Sequence, residues 1–73
     1  MYQLEFSNSA DKFLEKLNSK DREIILKKIN SIRENPFRFL KKLHGNKLWR
    51  LRIKDYRAIA EVIVSRGRII ILR

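Results

Sequence analysis

The residues best suited to chemistry are the cations of one short run, Lys47-Leu-Trp-Arg-Leu-Arg-Ile-Lys-Asp-Tyr-Arg57. A guanidinium is a rigid fork of donors that meets a phosphate in paired, charge-assisted hydrogen bonds. Lys47, Arg50, Arg52, Lys54 and Arg57 are therefore a candidate nucleic-acid-binding set, with the arginines as phosphate holders and the lysines at the margins. Arginine stays protonated, with a pKa above about 12, so it stabilises negative charge and is a poor proton acceptor. His44 is the only side chain that titrates near neutral pH. Its place beside Gly45, ahead of the run, fits a loop or helix-end residue better than a catalyst. With no cysteine, one histidine and two glycines, the chain has no thiol nucleophile, Cys-based metal site, phosphate-cradling glycine loop or Ser-His-Asp set.

Three arginines act together only if an element aims them together. Read as a strand, the run points Trp49, Leu51 and Ile53 one way and Leu48, Arg50, Arg52 and Lys54 the other. A tight turn at Lys54-Asp55 then sets Ile53 opposite Tyr56, Arg52 opposite Arg57 and Arg50 opposite Ile59. Placing Arg52 across from Arg57 costs roughly 0.2 to 1 kcal/mol in like-charge repulsion, which an anionic partner would reward. The turn lacks the Asn-Gly or glycine-rich signature of a two-residue hairpin, and a one-residue slip would send the arginines to opposite faces. The proposed register also gathers Trp49, Leu51, Ile53, Tyr56, Ala58, Ala60 and Val62 on one apolar face. Tyr56 could stack on a base, but this alternation assigns it, like Trp49, to core packing.

The rest of the chain must cover that apolar face. Tyr2, Leu4 and Phe6 alternate as a short strand. Ser7-Asn8-Ser9 starts a helix over about 9–17, with Ala10, Phe13, Leu14 and Leu17 at helical spacing. Asn18-Ser19 caps a second helix carrying Ile25, Ile29 and Ile32, which Asn35-Pro36 ends. Residues 37–46 read as a connector in which Phe37, Leu40 and Leu43 tuck under the sheet edge and Gly45-Asn46 turns the chain. The central strand, its partner over 56–64, a turn at Ser65-Arg66-Gly67 and a strand over 68–73 follow. Ile69-Ile70-Ile71-Leu72 is a continuous apolar run, as in a strand sitting centrally. The expected fold is α+β: an N-terminal strand, a helix hairpin and an antiparallel three-stranded meander, with the helices packed on one face of a four-stranded sheet.

Seventy-three residues make one domain at most, and a chain so short is marginal without a partner. Of the net charge of +10, residues 37–73 hold +9, with eleven Lys/Arg against Asp55 and Glu61. That asymmetry points to an anionic partner, nucleic acid or an acidic protein segment. The longest wholly apolar run is far short of the roughly 20 residues that span a bilayer, so no membrane role and a cytoplasmic location are expected.

The order strand, helix hairpin ended by Asn35-Pro36, Lys42-Leu43-His44-Gly45, Leu48-Trp49-Arg50-Leu51-Arg52-Ile53, Asp55-Tyr56-Arg57 and an apolar strand through Glu61-Val62 resembles the RelE/ParE superfamily of toxin-antitoxin toxins. The resemblance covers essentially the whole chain, and its most specific part is Trp-Arg-Leu-Arg-Ile followed closely by Asp-Tyr-Arg. In the RelE branch it implies a single toxin domain that enters the ribosomal A site and cuts mRNA without metal or cofactor, by attack of a ribose 2'-hydroxyl on the neighbouring phosphate. Arg57 then matches the arginine that holds the scissile phosphate, with Arg50 and Arg52 as the other catalytic candidates. Those two fall where well-studied RelE-like nucleases have lysines. The family's later arginine and tyrosine would lie beyond Arg73, which implies a form lacking its C-terminal tail and leaves open whether it cuts. The implied partners are an acidic, RelB-like antitoxin, the ribosome and mRNA. A ParE-like DNA gyrase inhibitor and a non-catalytic module binding RNA or an acidic protein are the alternatives.

Overall fold

Alternating side chains build strands here, and side-chain oxygens start the helices between them. In a computed structural model, which describes residues 1–43 and 47–73, the chain forms β1 (Gln3–Phe6), α1 (Asn8–Lys16), α2 (Ser19–Ser31), α3 (Pro36–Phe39), β2 (Lys41–Lys42), β3 (Leu48–Ile53), β4 (Tyr56–Ile63) and β5 (Arg68–Ile71). His44 and the Gly45-Asn46 turn lie outside the described residues.

Ser7 Oγ accepts the Ala10 N–H at 3.1 Å, capping α1, and donates to the Leu72 carbonyl at 2.6 Å, which ties the helix start to the sheet. Asn18 caps α2 by accepting the Asp21 N–H at 2.8 Å. Between the helices, Arg22 reaches back to the Leu14 and Leu17 carbonyls at 2.8 and 2.9 Å. The Leu14 carbonyl also accepts the Leu17 N–H at 3.2 Å, and both carbonyls lie at the open end of α1, so this one side chain helps close the first helix and fixes the second against it.

The sheet order is β1-β5-β4-β3-β2, with β1 parallel to β5 and every other pair antiparallel. β5 lies between β1 and β4, the buried position that its unbroken apolar run anticipates. One face of the sheet presents Leu51, Ile53, Ala58, Ala60, Ile69 and Ile71 to Ile25, Ile29 and Ile32 of α2 and Ala10 of α1. The two alanines leave room for the isoleucines above them, and Ile32 and Ala60 are fully buried. Among the described residues no helix covers the other face, from which Arg50, Arg52 and Arg57 project.

The expected α+β layout is the observed one, with two corrections. Among the described residues the sheet has five strands rather than four, because Lys41 and Lys42 pair with Arg50 and Trp49 as a two-residue edge strand too short to leave a periodic signal. Asn35-Pro36 does not end the second helix. α2 stops at Ser31 and closes through tight bonds from the Ile32 and Arg33 N–H groups to Ile29 and Asn30, and Pro36 opens α3, where its fixed φ suits the first helical turn. In consequence Trp49, expected beneath the helix hairpin, packs against Phe37 of α3, with ring centroids 5.0 Å apart. Leu40 is buried as expected, while Leu43 faces the helix-free side.

Candidate nucleic-acid interface

The β3–β4 ribbon has the register that its alternation demands: Ile53 opposite Tyr56, Arg52 opposite Arg57 and Arg50 opposite Ile59. Lys54 turns the corner at φ 54, in the left-handed region. A two-residue hairpin needs positive φ, and here a lysine supplies it in place of the usual glycine or asparagine, at a cost of roughly 1–2 kcal/mol. Arg50, Arg52 and Arg57 therefore stem from the sheet face opposite the core.

The arginines nonetheless serve different hollows. Arg50 and Arg57, joined by Arg73, line a depression of about 590 Å³ together with Phe13, Leu43, Tyr56, Ile59 and Asp55. Arg73 enters through a bulge past β5: the Leu72 N–H donates to the Ile59 carbonyl at 2.7 Å, and the Ile59 N–H donates to the Arg73 carbonyl at 2.9 Å. Two residues thus oppose one, and such an extra residue re-aims a side chain. Arg52 falls in a neighbouring pit of about 170 Å³ with Lys28, Phe39, Lys41 and Arg50. Lys54 lies with Arg52, Lys27 and Lys28 along a groove between the β3 edge and α2. Lys47 is exposed just ahead of β3 and lines none of these three hollows.

Tyr56 lines the large depression but is held from behind. Its hydroxyl donates to Asp21 Oδ2 at 3.1 Å, and its ring meets Phe13 edge-on at 5.8 Å. That hydrogen bond to a carboxylate holds the phenol above its ordinary pKa of 10.0, so Tyr56 keeps its proton. The bond also ties the ribbon to the first turn of α2.

Among the described residues one ion pair is formed, between Arg68 and Glu5 on β5 and β1, with Arg68 Nη2 donating to Glu5 Oε1 at 2.6 Å. The guanidinium holds the Glu5 carboxyl below its ordinary 4.5. Arg50, Arg52 and Arg57 have no such carboxylate partner among the described residues, which leaves their charge available to a ligand. No group of three His, Cys, Asp or Glu side chains among these residues is arranged to hold a metal ion, and no helix is long and apolar enough to cross a membrane.

Sequence reasoning missed Phe13, Lys28, Lys41 and Arg73. Phe13, expected on the apolar stripe of the first helix, is 44% exposed and lines the depression. Lys41 had a signal only in hindsight, since it faces Arg50 across the two-residue strand.

Residues 4–73 match the family model described as the ParE toxin of type II toxin-antitoxin systems, parDE. No curated protein matches the sequence significantly. Among solved structures, a chain of the intact E. coli RelBE toxin-antitoxin complex is 26% identical, with a TM-score of 0.82 over 99% of this chain and 92% of that one. A chain of the archaeal RelE-RelB complex from Pyrococcus horikoshii is 26% identical, with a TM-score of 0.85 over 99% and 90%. The toxin-antitoxin complex RelBE2 from Mycobacterium tuberculosis shares the fold at a TM-score of 0.90 and 21% identity, over 99% and 93%. An arginine-rimmed sheet face backed by a helix hairpin is thus set in a known toxin architecture, and the chain belongs to the ParE toxin family of type II toxin-antitoxin systems.

Proposed function

We propose that this toxin cuts mRNA on the ribosome, as a single RelE-like domain acting in the cytoplasm, with its scissile phosphate in the depression between Arg50, Arg57 and Arg73. The observation that carries the reading is that these three arginines, without carboxylate partners among the described residues, line one hollow together with aromatic and aliphatic side chains. Aromatic faces take a base and guanidinium groups take its phosphate. The likeness to chains of RelBE complexes at 26% identity supports the RelE branch.

In this reading the 2'-hydroxyl gives up its proton as its oxygen attacks phosphorus, the P–O5' bond breaks, and the leaving 5'-oxygen takes a proton from water, giving a 2',3'-cyclic phosphate and a 5'-hydroxyl. Arg57 and Arg50 stabilise the charge that builds on the crowded phosphate. They cannot accept the 2'-hydroxyl proton. Among the described side chains lining the depression, Asp55 alone is a carboxylate, and we assign it that role. Arg52 contributes charge from the adjoining pit, and Lys47 and Lys54 extend the basic margin. An acidic antitoxin would hold the toxin silent by covering this face, as RelB accompanies the toxins of the similar complexes.

A second reading, inhibition of DNA gyrase, is favoured by the family's ParE description and by arginines standing where RelE-like nucleases have lysines. One pair of assays separates the two. Purified toxin added to a translation reaction with intact ribosomes should leave mRNA cut at codon-related positions, with gyrase supercoiling unaffected. Inhibited supercoiling with intact mRNA would transfer the chain to the second reading, and neither effect would leave a binding module.

A further inference from the structure

The three basic hollows are not separate. Arg50 lines both the large depression and the pit, while Arg52 and Lys28 line both the pit and the groove along α2. Together they form a continuous cationic track that leaves the open sheet face, rounds the β3 edge and reaches α2. It can round that edge because β2 covers β3 only at Trp49 and Arg50, so Leu51 to Ile53 are left uncovered.

Within the pit, Phe39 is 37% exposed, with Lys28 Nζ 4.9 Å from its ring centroid and the Arg38 guanidinium carbon at 5.6 Å. A stacking surface and phosphate-binding charge are thus within reach of a single nucleotide. Proteins that bind single strands combine these two features, a basic groove for the backbone and aromatic faces for the bases. An acidic protein segment would use the cations but would have no need of the ring.

We propose that the pit is a second RNA subsite, stacking a base on Phe39 and holding its flanking phosphates on Lys28, Lys41 and Arg52, for the stretch of strand that adjoins the phosphate at Arg50 and Arg57. This rests on the RNA-cleavage reading and extends it: the substrate is gripped over several nucleotides, and the strand bends around the sheet edge rather than crossing the open face.

The test uses two uncleavable 2'-O-methyl RNAs, one of three nucleotides and one of nine, with affinities read by fluorescence anisotropy over a range of salt. The longer RNA should bind more tightly. In the Lys28→Gln/Lys41→Gln double variant its salt slope should fall by roughly 1.4, two contacts at about 0.7 each, while the shorter RNA is unchanged. Phe39→Leu should weaken the longer RNA at least about fivefold, the loss of one stacked base. All three side chains are at least partly exposed, and each variant should match the parent by circular dichroism. Variants that bind both RNAs like the parent would remove the pit but leave the central depression standing. Failure of both RNAs to bind the parent would overturn both readings. A polyglutamate peptide bound as tightly as the longer RNA, and indifferent to Phe39→Leu, would give the pit to an acidic protein instead.

Discussion

Lys54 and Gly67 both have positive φ, at 54 and 58, for different reasons. Gly67 closes the turn after β4 with nothing within 4 Å of where a Cβ would stand, so Gly67→Ala meets only the backbone penalty and should cost roughly 1–2 kcal/mol. Lys54 bears that penalty natively. Lys54→Gly should raise stability by about 0.5–1 kcal/mol in urea unfolding, and the cation lost from the ribbon tip should weaken RNA binding. A stability gain with no loss of binding would show that the lysine is an accident of the turn. Glu5 gives a pH signature. Its carboxyl titrates below the ordinary 4.5 because Arg68 holds the charged form, so the pair's contribution is present above that pH and is lost as pH falls through the lowered value. Melting temperature should therefore drop on acidification below about 4.5, and Glu5→Gln should show a lower neutral plateau with a shallower acid limb.

The β3–β4 ribbon was legible because two independent patterns agreed on one register: the apolar set from Trp49 to Val62 and the arginine set across from it. The caps were legible because Ser7 and Asn18 precede apolar residues at helical spacing, and Asn18→Ala should cost about 1 kcal/mol. Ile32, fully buried at the end of α2, should cost 2–5 kcal/mol on truncation to alanine, measured by the same unfolding transition. What was illegible was shorter than a period. A four-residue α3 and a two-residue β2 leave no repeat to read, and both decide where Phe37, Phe39 and Lys41 sit. The bulge that brings Arg73 to the depression depends on which carbonyl Ile59 meets, a tertiary fact with no sequence mark. The site was therefore half visible: its cations along one ribbon could be named, and its aromatic wall and outlying cations could not.

At the scale of the molecule, the second half of the chain carries +9 of the net +10, and three of its arginines, Arg50, Arg57 and Arg73, line the depression. A fold this small gains from any partner that binds only the native state, by about 2.7 kcal/mol at a hundred times the dissociation constant. An acidic antitoxin fits that need twice, by stabilising the domain and by screening the arginines, and its affinity should fall with added salt. The claim on which the rest depends is that Arg57 holds a phosphate of mRNA during cleavage, and it is tested most directly by single-turnover cleavage of ribosome-bound mRNA with the parent chain and Arg57→Ala. The side chain is exposed and outside the core, so the variant should melt like the parent while cutting at least about 10²-fold more slowly, the usual consequence of losing one transition-state donor. Cleavage at the parent's rate in a folded Arg57→Ala protein would contradict the account.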